Sequence, residues 1–205
     1  MLQLLIDGLK AKELYFAHPL KDIDHSCCQS SQLVIDFDAV KEAYIQQTST
    51  PHPWPKSCDV LFLVPQDNRI IFGEMKDMEK LIKRFIEETL GDDENQDKEP
   101  PSPEEILEHL SDKLRNKYRP DKKAIDSVFL LLEIAIYCEV EKELIHFIMS
   151  QQCSIACYFV MHFSPEQLLL VNDLLKSETA YYHYHKIGSI DFIPASIFDQ
   201  IIEQS

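Results

Sequence analysis

The spacing of apolar and polar positions changes several times along the chain, and each change marks an element. Leu2, Leu4, Leu5, Leu9 and Leu14 follow a helical period loosely, and Leu33 to Phe37 reads as a short strand or the entry to a helix through Tyr44. The run Pro51-His52-Pro53-Trp54-Pro55 carries the chain onward extended, because proline fixes its own φ and restricts the residue before it. Two almost wholly apolar runs follow, Val60 to Val64 and Ile70 to Gly73, joined by the polar Gln66-Asp67-Asn68. Continuous apolar runs of this length mark strands buried on both faces.

A helix is predicted from Met78 to Leu90, stopped by Gly91. Ser102-Pro103-Glu104-Glu105 is a capping box with proline at the first helical position, and it opens a helix to about Tyr118. One long helix is expected from Ala124 to Ser150, then a strand from Ile155 to Phe163. Ser164 and Gln167 cap a further helix to Lys176. A strand around Ile190 to Ile193 and a last helix from Ser196 to Glu203 close the chain. Strands flanked by helices predict an α/β fold, a single-domain mixed sheet flanked by helices. At 205 residues and 45% hydrophobic, the chain suits one core. One domain, 1–205, is expected, with an acidic loop at 91–103.

Three charges interrupt the hairpin. Asp59 opens its first strand; Glu74 and Lys76 close the second. Alternation along a strand puts Glu74 and Lys76 on one face. If the connection is 65–68, paired residue numbers sum to 133 and Asp59 stands opposite Glu74. If it is only Asp67-Asn68, the sum is 135 and Asp59 faces Lys76. The two registers differ by two, so all three groups share a face in either. Directly opposed carboxylates destabilise a sheet unless a cation lies between them. Read blandly, Glu74 and Lys76 lie on a solvated strand face and Asp59 caps a turn. The apolar runs argue against it, because a charge at the end of a buried hairpin needs a partner. Two carboxylates offer hard oxygen ligands to Mg²⁺ (or Mn²⁺), with water completing the octahedron.

With Asp59 on one strand and Glu74-Met75-Lys76 near the end of the next, the chain resembles the PD-(D/E)XK phosphodiesterases, the restriction-endonuclease-like nucleases, in an uncharacterised bacterial branch. Ser57-Cys58 stand where those nucleases usually have proline before the aspartate. The resemblance implies a restriction-endonuclease-like core and a Mg²⁺-dependent endonuclease acting on DNA or RNA. Its catalytic set is Asp59, Glu74 and Lys76, and its metal ligands are Asp59, Glu74 and the Met75 backbone carbonyl. It also implies an auxiliary carboxylate on an upstream helix, for which Glu42 is the candidate with Glu13 behind it, and it allows a homodimer. Lys123-Ala124-Ile125-Asp126-Ser127 matches a Lys-x-x-Asp-Ser run on the long helix after the motif. There Lys123 would reach a phosphate, while Asp126 and Ser127 read as N-terminal helix caps.

Charge pulls in two directions. A formal charge of −15 repels polyphosphate, and an acidic surface suits a protein partner. A nuclease fold kept as a non-catalytic interaction module is therefore the alternative function. Part of that charge is local to the acidic loop, however. Lys113, Arg115, Lys117, Arg119, Lys122 and Lys123 cluster within eleven residues, with Asp121 the only acid among them. This is the candidate nucleic-acid-binding band. Its other reading is helix C-terminal cations complementing the dipole. Six scattered cysteines predict free thiols and a cytoplasmic location. His25-Ser26-Cys27-Cys28 and Cys153-x-x-x-Cys157 lack the paired spacing of a zinc site. Tyr181 to His185 alternates aromatics and histidines, as an edge strand or a base-stacking surface would. No segment is long and apolar enough to suggest a membrane partner.

Overall fold

The computed structural model describes residues 1–23, 27–49, 56–90, 99–150, 153–181, 183–184 and 188–205. A mixed sheet runs through its centre in the order β1-β2-β3-β4-β5-β7, and the two-residue β6 (His183–Tyr184) extends it beyond β7. β1 (Ala17–Pro19), β2 (Leu33–Asp36), β3 (Val60–Val64) and β4 (Arg69–Asp77) are successively antiparallel. β5 (Ser154–His162) lies parallel to β4, and β7 (Gly188–Pro194) parallel to β5.

Alternation along the central strands divides the core in two. Leu61, Leu63, Ile70, Phe72, Cys157 and Phe159 point to one face. There they meet α1 (Leu2–Ala11), α2 (Phe37–Thr48), α3 (Met78–Leu90), α4 (Pro103–Asp112) and α5 (Pro120–Tyr137). α6 (Glu141–Met149) and α7 (Pro165–Tyr181) complete that layer. Val60, Phe62, Ile71, Met75 and Val160 point the other way, onto Phe198 and Ile202 of α8 (Ala195–Glu203) and onto Leu20, Ile23 and Cys28. Both faces of the hairpin are thus covered, which is why β3 and β4 read as unbroken apolar runs.

Several expectations are met closely. Of the two hairpin connections open in the sequence, 65–68 is the one present, as a single helical turn with Asn68 in the left-handed region at φ 52°. α3 has the expected ends. Ser102 accepts from the Glu105 N–H while Glu105 accepts from the Ser102 N–H, the reciprocal pair that starts α4. Ser164 and Gln167 repeat that arrangement at α7, which runs past Lys176 to Tyr181.

Three corrections follow. The single long helix from Ala124 to Ser150 is two: α5 ends at Tyr137, Glu139 takes φ 61°, and α6 starts at Glu141. β1 was not expected; three residues ending in proline carry no alternation to read. Asp126 and Ser127 lie in the second turn of α5 rather than before it, so they are not helix caps. The proline run of 51–55, most of the acidic loop, and His25 with the adjoining Ser26 lie outside the described residues. Among the described residues no helix is long and apolar enough to cross a membrane.

Candidate active site

The strand register decides where the motif charges meet. β3 and β4 pair Val60 with Gly73 and Val64 with Arg69, so their numbers sum to 133. One step further puts Asp59 opposite Glu74. Asp59 has the parity of Leu61 and Leu63, and Glu74 and Lys76 that of Ile70 and Phe72. All three charges therefore take the face covered by α2 and α5.

Asp59 is fixed where β3 begins. Its backbone carbonyl accepts from the Phe37 N–H at 2.9 Å, tying the strand to the start of α2. Its carboxylate Oδ2 accepts from the Met75 N–H at 2.6 Å. The approach to Asp59 is held from α5: the Ser127 hydroxyl accepts from the buried Cys58 N–H at 2.8 Å, and Asp126 accepts from the Lys56 N–H at 3.0 Å. Instead of capping their own helix, these two side chains cap the strand entry.

Glu74 is 2% exposed and lies between two ammoniums. Its Oε1 pairs with Lys76 Nζ at 2.5 Å and with Lys123 Nζ. Lys76 also donates to the Met75 carbonyl at 2.7 Å and lies 3.8 Å from Asp59 Oδ2. The Lys76 ammonium thus touches all three oxygens assigned to a metal ion: Glu74, Asp59 and the Met75 carbonyl. Glu74 Oε2 is buried with no hydrogen-bond partner among the described residues. A buried carboxylate oxygen left unsatisfied is costly, and a further cation would satisfy it.

Electrostatics reinforce the geometry. Burial, then the neighbouring Glu74, pushes the Asp59 carboxyl up to about 6, outweighing the opposing pull of Lys76 and the Met75 N–H. Burial also opposes the charge on Lys76, but Glu74 and Asp59 more than offset it and raise its pKa. Lys123 sits in the first turn of α5, where the helix dipole disfavours a cation. Its pairing with Glu74 accounts for that placement.

The donor set suits a hard divalent ion held by two carboxylates and one carbonyl, the rest of its shell being water or phosphate oxygen. It is not a full protein cage: among the described residues no three His, Cys, Asp or Glu side chains group as a metal site. Among the described residues the cysteines do not group as one either. Cys157 is core, Cys27 lines a different cleft, and none of the six cysteines is in a disulfide.

Beside the carboxylates lies a cleft of about 380 Å³ lined by Lys41, Lys56, Lys117 and Lys123, with Ser57 and Tyr118. Among the described residues Asp38 is its only acid. Of the basic band, only Lys117 and Lys123 face this cleft. Lys122 pairs with Asp126 at 2.6 Å and Arg119 with Asp121 at 3.4 Å, and Lys113 and Arg115 are not among the lining residues. Lys41 and Lys56 were not expected, because isolated lysines in a sequence carry no signal. Glu42 is exposed and does not line the cleft. The carboxylate that α2 presents there is Asp38, which accepts from Ser57 at 2.8 Å and pairs with Lys41 at 2.5 Å. Glu13, with φ 57°, follows α1 and does not line it either. Compared with protein-family models, with curated proteins and with solved structures, the chain matches none.

Proposed function

We propose that the protein is a metal-dependent nuclease, using Mg²⁺ or Mn²⁺ to hydrolyse phosphodiester bonds of DNA or RNA on a restriction-endonuclease-like core. The observation that carries this reading is the opposed pair Asp59 and Glu74, with the Glu74 oxygen that no described residue satisfies, beside a lysine-lined cleft. A bound ion supplies Lewis-acid polarisation of the phosphate and a more acidic water. The chain does the rest. Asp59 is ionised at neutral pH, since about 6 lies below it. Lys123 fixes the orientation of Glu74. Lys76, within reach of both carboxylates, orients the attacking water and stabilises charge that develops on the phosphate.

One observation favours the alternative. Lys76 and Lys123 already neutralise Glu74, as they would in a purely structural ion cluster of a non-catalytic module that binds a protein through its acidic surface. Cleavage of a panel of single- and double-stranded DNA and RNA, with Mg²⁺ and with EDTA, separates the two. The nuclease reading expects Mg²⁺-dependent cutting that Lys76→Ala nearly abolishes while Mn²⁺ binding persists. No cutting on the panel, or equal cutting by Lys76→Ala, replaces it with the interaction module.

A further inference from the structure

The lysine cleft carries more charge than a passing phosphodiester requires. Asp38 offsets Lys41, and Glu74 offsets Lys123. Lys56 and Lys117 both line the cleft and have no carboxylate partner among the described residues. Two ammoniums not neutralised by a carboxylate among the described residues, in a protein of net charge −15, are a local exception to its field. A backbone diester carries one negative charge. A phosphomonoester carries nearly two at pH 7 and has three strong acceptor oxygens.

Size and placement agree with a terminal group. At about 380 Å³ the cleft lies at the small end of ligand pockets. That volume suits the end of a strand and is too small for a duplex. The cleft also adjoins the carboxylates directly: Lys123 lines it and pairs with Glu74. The Tyr118 ring lies between the two, with Lys117 Nζ 5.7 Å and Lys76 Nζ 5.9 Å from its centroid. Lys117 and Tyr118 are delivered there by a π-helical segment, Lys113–Tyr118, that continues α4. Such wide turns recur where a helix serves a site.

We infer that this cleft binds the terminal phosphomonoester of a nucleic-acid strand, anchored by Lys56 and Lys117 with Tyr118 as a hydroxyl donor, and so presents a diester near the strand end to Asp59 and Glu74. This deepens the nuclease reading by naming its substrate as phosphorylated strand ends. The test uses the full chain and one labelled oligonucleotide in three forms: 5′-phosphate, 3′-phosphate and both ends hydroxyl. Binding is read by fluorescence anisotropy in EDTA, where nothing is cut. One phosphorylated form should bind about tenfold tighter than the hydroxyl form, the equivalent of one charge-assisted contact, and the other arm shows which end is read. Lys56→Gln with Lys117→Gln, both at exposed positions, should erase that preference while leaving calorimetric Mn²⁺ binding unchanged. Equal binding of all three forms, or a preference that survives the double substitution, overturns the inference. Mg²⁺-dependent cutting in that case leaves the nuclease reading standing. A phosphate preference without any cutting does the reverse, keeping the cleft and removing the enzyme.

Discussion

Asp59→Asn isolates the electrostatic cost of the site. Burial and Glu74 hold the Asp59 carboxyl at about 6 against an ordinary 3.8, so between those values the folded protein binds more protons than the unfolded one. Stability from this group is fully present below pH 3.8 and is lost as pH rises through about 6. The gap corresponds to about 3 kcal/mol. Asparagine mimics the protonated acid: its carbonyl can still accept from the Met75 N–H, and its charge never appears. In urea unfolding with EDTA, the variant should match the parent near pH 4. It should become more stable by about 1 to 3 kcal/mol above pH 6, the lower figure allowing for burial of the amide. Excess Mn²⁺ should then stabilise the parent above pH 6 by mass action and leave the variant unmoved. Two results would refute the reasoning: a variant less stable than the parent at pH 7 in EDTA, or a stability difference that does not change with pH.

Glu74→Gln takes the shared counter-charge from two half-buried ammoniums, Lys76 and Lys123, so it should destabilise the fold by about 1 to 3 kcal/mol and abolish Mn²⁺ heats in calorimetry. Gly73→Ala should cost about 1 to 3 kcal/mol in thermal unfolding, because a Cβ there would meet the buried Phe198 ring at 2.9 Å. Ser127→Ala removes the acceptor of the buried Cys58 N–H and should cost about 1 to 3 kcal/mol. Because it loosens the approach to Asp59, it should also weaken Mn²⁺ binding, where a purely structural hydrogen bond would leave the metal untouched.

What was legible in the sequence was local. The hairpin and the shared face of Asp59, Glu74 and Lys76 lie within nineteen residues, where alternation of period two fixes the face in either register; which of the two registers forms, the one summing to 133, only the structure decides. The capping boxes at Ser102 and Ser164 are equally local. The break after Tyr137 was not legible, because Glu139 supplies the left-handed residue where glycine or asparagine would have signalled it. Asp38 and Glu42 are four apart on α2 and share a helical face. Only the depth along the helix axis separates them, and Asp38 is the one level with Ser57. Depth along an axis leaves no periodic trace.

Net charge alone does not describe the field inside the cleft. Its four lysines come from α2, the strand entry, the π-helical segment and the first turn of α5, so no window of the sequence contains them together. Lys113 to Lys123 looked like a basic band, yet α5 turns Lys122 and Lys123 in different directions, one to Asp126 and the other to Glu74. The acids are spread over the whole chain, while these cations converge on one concave spot beside the carboxylates. Screening limits distant surface charge to about a Debye length, roughly 8 Å at physiological salt, whereas a cleft focuses the field of the groups that line it. A phosphate arriving at this spot responds to the lysines within that length and much less to the remaining charge. Raising salt should therefore weaken oligonucleotide binding in proportion to the few lysines engaged. The shallow slope of a site with two or three phosphate contacts is expected, and a slope matching the six residues of the sequence band would place the strand on a different face of the protein.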